Sequence, residues 1–296
     1  MSDRLAAILP DRSVVEVTGD DAEHFLQRLV TNDVTGLVPG EARFAGLLSP
    51  QGKILFEFFV VGIGAGFWLE TSADKAGELA KRLTFYKLRA KVEIADLSGV
   101  RAVGVSWPGD VGPASDGLAG LFYRDPRHAL LGNRFIVTRD QITKRAHNLT
   151  GTPDAYHAHR IHLAIPEGGR DYGLGDTFPH EACFDQLAVL APKKGCYIGQ
   201  EVVSRMEHRG TARKRMIGVT SELALPEPGT EIVAGEVAIG RLGSSAGGEG
   251  LGLVRLDRLA RALAAGDYAS AGGVRLTPHQ PDWARFEVPR EPVVGP

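Results

Sequence analysis

Apolar and polar positions near the start of the chain alternate with two different periods. The run SVVEV at Ser13–Val17 has the two-residue period of a strand, whereas the apolar residues of Phe25–Leu29 have the spacing of one helix face. Asp20 and Glu23, three residues apart, have the form of a capping box at the start of that helix. We therefore expect a strand followed by a short helix.

Two hairpins are expected next. The apolar runs Arg43–Leu48 and Lys53–Val61 flank the tetrapeptide SPQG, whose second-position proline suits a tight turn. The glycines of GIGAG at residues 62–66 resemble a phosphate-binding loop at first sight. However, the following run Phe67–Glu70 has strand character, whereas a dinucleotide site requires a helix there. We interpret GIGAG as a hairpin tip.

The rest of the pattern predicts an α+β protein that ends in an all-β module. Further helices are expected at Ser72–Leu83, Asp154–Ala164 and Gln200–His208, and further strands at Lys91–Ile94, Val100–Trp107 and Phe135–Thr138. Residues 168–185 have the glycine and aspartate density of an irregular loop, where binding groups tend to lie. After Arg215, short apolar strands alternate with glycine-rich turns, which is typical of a small barrel or sandwich. One short helix is expected around Leu256–Leu263.

Composition narrows the class of protein. A chain of 296 residues is long enough for two or three domains, and a formal net charge of -2 gives no general positive field for nucleic acid. No apolar run approaches the roughly 18 residues of a membrane span. Two cysteines indicate a reducing compartment. The first residues lack the Arg- and Ser-rich, acid-poor character of a transit peptide, so we expect a cytoplasmic protein, bacterial rather than mitochondrial.

Cys196 is the first candidate for chemistry. It follows Lys193 and Lys194 and precedes the helix expected from Gln200. Positive charge and a helix N-terminus both favour thiolate over thiol, so an exposed cysteine here could be a nucleophile, a soft-metal ligand or a site of oxidation. The alternative is that it fills a gap beside its apolar neighbours. Burial decides between the two, and the local sequence leaves both open.

No metal site is expected from the remaining residues. Cys183 lies 13 positions before Cys196, a spacing that matches no zinc or iron–sulfur pattern, and His180 does not complete one. Between Ala182 and Phe184, Cys183 is expected in the core. The chain contains no HExxH motif.

Charged residues around the last long helix have two interpretations. Glu201 and Arg205 are four residues apart and can pair on one helix face. The wider basic cluster is either a solvated face or an anchor for a polycarboxylate ligand tail; it consists of Arg205, Arg209, Arg213, Lys214 and Arg215. Asn32 and Asp33 could supply a pocket carboxylate, but from the residues alone we favour a turn.

Two motifs carry a resemblance to a known family. KGCYIGQE at Lys194–Glu201 and RMEHRGTARKR at Arg205–Arg215 resemble the signature of the YgfZ-type folate-binding proteins, relatives of the glycine-cleavage T-protein. The mitochondrial iron–sulfur assembly members of that group have a similar motif. Supporting matches extend over nearly the whole chain; they are VVEVTGDDAEHFLQRLVTNDV, FPHEACFDQLAV, GEVAIGRLGSSA and GLGLVRLD.

The resemblance implies a three-domain ring around a tetrahydrofolate site. It assigns residues 1–45 and 140–211 to a discontinuous folate-binding domain, 46–139 to a ferredoxin-like insert and 212–296 to a β-barrel. It implies a role in assembling or repairing four-iron clusters, with client enzymes such as tRNA methylthiolases, and Cys196 as the essential residue. The folate-binding residues it implies are Asn32, Asp33, Glu181, Tyr197, Gln200, Glu201 and Arg205.

Two departures from the family bear on the alternative functions. True aminomethyltransferases carry a GGILDD-like run where this chain has Phe56 and Glu57. Phenylalanine can neither take a proton nor stabilise a cationic transfer state, which argues against the alternative of a folate-dependent aminomethyltransferase. Ala164 stands where the family has glycine. A third hypothesis is a protein-docking scaffold that binds no folate.

Overall fold

The computed structural model describes residues 5–108, 120–145, 149–210 and 212–290; within these, the side chains of 143–145 and 209 are not described. The chain divides into two compact units. The first contains Met1–Tyr156 and Ala188–Gln200, and the second contains His157–Leu187 and Glu201–Pro296. No helix among the described residues is long and apolar enough to cross a membrane.

A five-stranded antiparallel sheet with two helices forms the larger part of the first unit. Its strand order is β3-β4-β5-β2-β6. The strands are β2 (Arg12–Thr18), β3 (Ala42–Leu48), β4 (Ile54–Gly62), β5 (Gly66–Ser72) and β6 (Glu93–Asp96), and the helices are α1 (Ala22–Gln27) and α2 (Ala76–Lys87). Apolar residues of α1, α2 and the sheet, among them Leu26, Phe58 and Leu79, form one buried core.

A four-stranded sheet, in the order β1-β7-β9-β8, completes the first unit. Its strands are β1 (Leu5–Ile8), β7 (Arg101–Trp107), β8 (Gly120–Arg124) and β9 (Asn133–Thr138), followed by helix α3 (Arg139–Arg145). Helix α4 (Pro153–His162) begins in the first unit and continues into the second at His157. Buried charges join the two sheets, since Glu70 of β5 accepts from Arg12 Nε of β2 at 3.0 Å and from Arg134 Nε of β9 at 2.9 Å. Burial opposes the charge of Glu70, but the two guanidinium groups outweigh it and lower its pKa.

The second unit contains a closed barrel of six antiparallel strands, in the order β10-β13-β12-β11-β14-β15. The strands are β10 (Lys214–Thr220), β11 (Glu231–Ala234), β12 (Val237–Ala246), β13 (Glu249–Arg255), β14 (Ala269–Ala271) and β15 (Val274–His279). Helix α5 (Gln200–Arg209) precedes the barrel, and α6 (Leu256–Ala264) follows β13. Of the two architectures expected after Arg215, the chain adopts the barrel.

Both predicted hairpins are confirmed, whereas the capping box is wrong. The turn SPQG closes with a hydrogen bond from Gly52 N to Ser49 O of 2.8 Å, and GIGAG connects β4 to β5. Helix α1 begins after Asp21, which makes no side-chain cap. Glu23 instead accepts from Gly36 N at 2.8 Å, because the chain folds back there. Helix α2 begins at Ala76, four residues later than expected.

The predicted division at residues 45, 139 and 211 stays a prediction. The first boundary falls inside β3, and the five-stranded sheet takes strands from both sides of it. The ferredoxin-like insert assigned to 46–139 therefore shares its sheet with residues of the first 45. The barrel begins at Lys214, three residues after the third boundary.

Candidate functional site

The segment of residues 188–200, here called the cysteine loop, packs against the chain that follows α1. Thr31 Oγ1 donates to the carbonyl of Val189 at 2.9 Å. Lys194 Nζ donates to the carbonyls of Gln27 and Val30 at 2.7 and 2.5 Å, and Gln27 Nε2 donates to Lys194 O at 3.2 Å. The end of a helix leaves carbonyl groups without partners. The lysine satisfies one of them, that of Gln27, together with the carbonyl of Val30 beyond the helix, and so fixes the loop.

Two glycines of the KGCYIGQE motif have positions that require glycine. Gly195 has φ +98° and Gly199 has φ +80°, in the region that other residues rarely adopt. A Cβ added to Gly199 would lie 2.7 Å from Ser49 O and 3.1 Å from Gly52 Cα, so the motif lies directly on the β3–β4 turn. A Cβ added to Gly195 would meet nothing within 4 Å. Backbone geometry thus explains both glycines of the motif.

The two cysteines have opposite environments. Cys196 is exposed and free, whereas Cys183 is fully buried, as predicted, and burial raises its pKa to about 12. The ammonium group of Lys194 is engaged with carbonyls of Gln27 and Val30, so it is not available to the thiol in the way the sequence suggested. Lys193 is exposed beside Cys196.

Asp33 caps a turn, as favoured from the residues alone, because its Oδ1 accepts from Thr35 N at 3.0 Å. Asn32 is buried, and its Nδ2 donates to the carbonyls of Phe44 and Ala188 at 2.9 and 2.7 Å while its Oδ1 accepts from Asp33 N at 2.9 Å. Asn32 therefore ties the start of the cysteine loop to β3. Asp33 is exposed, and the backbone hydrogen bond from Thr35, first among several contacts, lowers its pKa.

Tyr197 also belongs to the cysteine loop and contacts Lys194. The Lys194 ammonium is 5.4 Å from the centre of its ring. Burial raises the pKa of Tyr197 to about 12 and lowers that of Lys194 to about 8. At neutral pH the phenol is therefore protonated and can donate a hydrogen bond.

The other predicted site residues have local partners in or beside α5. Gln200 is the first residue of α5. Glu201 and Arg205 are exposed and pair with each other at 2.7 Å, as the four-residue spacing predicts. Glu181, in the second unit, accepts from Phe178 N at 2.9 Å and lies 3.8 Å from Lys214 Nζ. Asn32, Asp33, Cys196, Tyr197 and Gln200 thus belong to the first unit, while Glu181, Glu201 and Arg205 belong to the second unit.

Most described members of the basic cluster have carboxylate partners. Arg205 and Lys214 pair as described above, and Arg215 Nη1 lies 2.6 Å from Asp185 Oδ1. The side chain of Arg209 lies outside the described residues. The solvated or internally paired interpretation therefore fits these residues better than a ligand anchor.

Sequence reasoning missed one group of possible ligands. His180, Asp185 and Glu207 bring their ligand atoms within 4.8 Å of one another, the one such group found in the described part of the chain. His180 Nε2 is 2.7 Å from Glu207 Oε2, and Asp185 is neutralised by Arg215. The sequence spacing did not indicate this group, because Glu207 lies in α5, 27 residues after His180.

The hairpin position at which transferases carry an acid is apolar. Phe56 is 2% exposed and belongs to the core of the first unit. The neighbouring Glu57 is 5% exposed. Neither residue presents a carboxylate to solvent.

Comparisons with known proteins agree with this architecture. Residues 11–114 match the family model of the GCVT N-terminal domain, and residues 213–286 match that of the CAF17 C-terminal beta-barrel domain. The glycine cleavage system aminomethyltransferase T from Bartonella henselae has a similar structure, with a TM-score of 0.73 over 98% of this chain and 88% of that chain. At 16% identity, this similarity establishes the fold alone.

Curated relatives decide the family. The mitochondrial iron–sulfur cluster assembly factor IBA57 of Homo sapiens is 32% identical over 300 residues, which cover 93% of this chain and 84% of the human protein. The chain belongs to the IBA57 family of iron–sulfur cluster assembly factors. The Mus musculus IBA57 is 31% identical with the same coverage. The resemblance carried by KGCYIGQE is thereby confirmed.

The predicted cytoplasmic location is wrong. The IBA57 relatives from human, mouse and Neurospora crassa are mitochondrial proteins. Our expectation rested on a low cysteine count and on the first residues. A low cysteine count separates oxidising from reducing compartments but does not distinguish one reducing compartment from another.

Proposed function

We propose that this chain acts in iron–sulfur cluster assembly through the thiol of Cys196, with tetrahydrofolate as a second ligand. The observation that carries the proposal is the contrast between the cysteines: Cys196 is exposed on a loop fixed at both ends, and Cys183 is buried. Asn32 and Lys194 hold the loop through backbone carbonyls. A fixed loop presents a thiol in a constant position.

The chemistry of the thiol points to a partner protein. Iron–sulfur clusters are held mainly by several thiolates. Cys196 supplies one, since Cys183 is buried. The remaining ligands of a cluster held here must therefore come from an iron–sulfur assembly or client protein. As a cargo, the cluster would be shared between Cys196 and that partner, and we propose four-iron proteins as the clients.

Folate binding is supported by the resemblance and by two groups of the first unit. Asp33 presents an exposed carboxylate, and Tyr197 a protonated phenol, and both can pair with the amine and carbonyl groups of a pterin. We assign Asn32 a positioning role, because its side chain is occupied by Phe44 and Ala188. Glu181, Gln200, Glu201 and Arg205 remain proposed ligands.

Complementation tests the thiol. In cells that lack their own relative, Cys196→Ser should fail to restore the activity of a four-iron enzyme, whereas Cys183→Ala, which changes only the buried thiol, should restore it. Thermal unfolding of both purified variants would verify that they fold. Full restoration by a folded Cys196→Ser would refute the proposed role of the thiol.

Titration with tetrahydrofolate tests the second ligand separately. A saturable change in the fluorescence of Trp68, Trp107 or Trp283 is expected, and Asp33→Asn should weaken binding by about tenfold, as expected for the loss of a charged hydrogen bond. Absence of a saturable change would instead favour a docking scaffold. Formation of methylene-tetrahydrofolate from an aminomethyl donor would place the chain with the transferases, against the argument from Phe56.

A further inference from the structure

A cleft of about 510 Å³ lies in the first unit, apart from the predicted folate-binding residues. Its walls come from α1, from the end of α2 with the residues after it, and from Ile198 of the cysteine loop. The volume lies in the range of small-molecule sites. Nothing in the proposed function accounts for this cleft.

Three cations surround the cleft without protein partners. Arg28, Lys87 and Arg89 line it, and none of these side chains has a hydrogen bond or ion pair within the described residues. The single acid in the lining is Asp21, whose Oδ2 already accepts from Lys91 N at 2.7 Å. Basic residues near helix ends are expected from the helix dipole alone. Their convergence on one concave surface goes beyond that expectation.

The floor of the cleft is apolar. Phe25 of α1 and Leu29, two residues after the end of α1, contribute together with Ile198 and Tyr86. Leu88, also in the lining, has φ +46° and is 89% exposed. A non-glycine residue in such a sparsely populated backbone conformation costs about 1–3 kcal/mol, and such strain tends to occur at functional sites.

We propose that this cleft binds a small organic anion, with carboxylate or phosphate groups held by Arg28, Arg89 and Lys87 and an apolar body lying on Phe25, Leu29 and Ile198. Guanidinium groups pair with either kind of acid in the same two-pronged geometry. A ligand in the cleft would contact Ile198, two residues from Cys196. Binding of the ligand would therefore affect the position of the cysteine loop.

A matched pair of dyes tests the charge requirement. The dye 8-anilinonaphthalene-1-sulfonate carries an aromatic body and one sulfonate, and N-phenyl-1-naphthylamine is the same body without the sulfonate. We expect saturable binding of the sulfonate dye, weakened about tenfold or more in Arg28→Gln/Arg89→Gln, whereas the neutral dye binds weakly and changes by less than about twofold. Arg82→Gln, an exposed arginine of α2 outside the cleft, is the control.

Three outcomes would overturn the proposal: unchanged binding of the sulfonate dye by the folded double variant, equally tight binding of both dyes by the unmodified protein, or an equal loss in Arg82→Gln. Displacement by phenylsuccinate or by phenyl phosphate would tell whether carboxylate or phosphate is preferred. Failure of both to displace the dye would also count against the site. None of these results depends on whether Cys196 or tetrahydrofolate has the role proposed above.

Discussion

Lys194 and Gln27 bind each other in both directions. The lysine Nζ donates to the Gln27 carbonyl at 2.7 Å, and the Gln27 side-chain amide donates to the Lys194 carbonyl at 3.2 Å. The pair joins the last residue of α1 to the residue two positions before Cys196. The placement of the thiol is therefore coupled to the end of a helix, and this coupling can be tested.

Lys194→Met should loosen the cysteine loop. The substitution leaves the carbonyls of Gln27 and Val30 without their charged donor, so we expect the free energy of unfolding in urea to fall by about 1.5–3 kcal/mol. Alkylation of Cys196 by iodoacetamide should accelerate. Lys193→Met removes an exposed lysine and is the control. Identical stability and alkylation rates in the two variants would contradict the bracing role.

Stability should fall at acid pH through two buried carboxylates, Glu70, which joins the two sheets, and Asp125, which pairs with Arg127 and Arg134. The folded-state pKa of Glu70 is lowered, as is that of Asp125, so the unfolded state takes up protons first as pH falls. Their contribution is complete above the ordinary carboxyl pKa of about 4, and it is lost as pH falls through the lowered values.

Glu70→Gln isolates that contribution. At pH 7 it should lower the free energy of unfolding by about 3–5 kcal/mol, because Arg12 and Arg134 remain buried without their shared anion. Below about pH 5 the variant should lose less further stability than the unmodified protein, since one titrating group is gone. Urea unfolding from pH 3 to pH 7 measures both effects. Parallel pH profiles would show that Glu70 does not carry the acid sensitivity.

The two motif glycines should respond differently to alanine. Gly195→Ala meets open space and incurs only the cost of positive φ, about 1 kcal/mol. Gly199→Ala adds a clash with the backbone of Ser49, so we expect a loss of at least about 2 kcal/mol. Thermal and urea unfolding of the pair measure the difference. Equal losses would mean that Gly199 does not rest on the hairpin turn.

Ala164 occupies a glycine conformation. It has φ +53° and follows α4 in a Schellman arrangement, in which Ile165 N donates to Arg160 O at 2.9 Å and Ala164 N to Ile161 O at 2.8 Å. Ala164→Gly and Ala76→Gly each delete one buried methyl group. Ala76, however, lies in helix α2, where glycine has no conformational advantage. The first should be less destabilising by about 1–2 kcal/mol. The reverse order would contradict the positive φ.

Local patterns predicted the elements that depend on neighbouring residues. The proline turn of SPQG, the strand after GIGAG and the glycine-rich strands after Arg215 all appear as expected, since alternation and turn chemistry act over a few residues. Cysteine burial was predicted for Cys183 from its apolar neighbours. The glycine that the family resemblance implies at position 164 agrees with the positive φ found there, although this chain has alanine.

Long-range contacts explain what the sequence did not predict. Glu70 pairs with Arg12 and Arg134, which are 58 and 64 residues away in the sequence. No local spacing of residues predicts such a network. Lys194 was interpreted as a neighbour of the thiol, yet its partners are 164 and 167 residues distant. Glu23 has the spacing of a capping box, but its carboxylate accepts a hydrogen bond from Gly36 N instead.

Closure of the barrel restricts how a partner could join the protein through strand addition. Each barrel strand has a neighbour on both sides, so the described residues of this module offer no unpaired edge to extend. The five-stranded sheet ends at β3, where Val30 bridges to Leu47, and at β6. Strand β6 is four residues long and carries Glu93 and Asp96. A short edge with two carboxylates discourages intermolecular sheet growth, which protects against edge-to-edge aggregation.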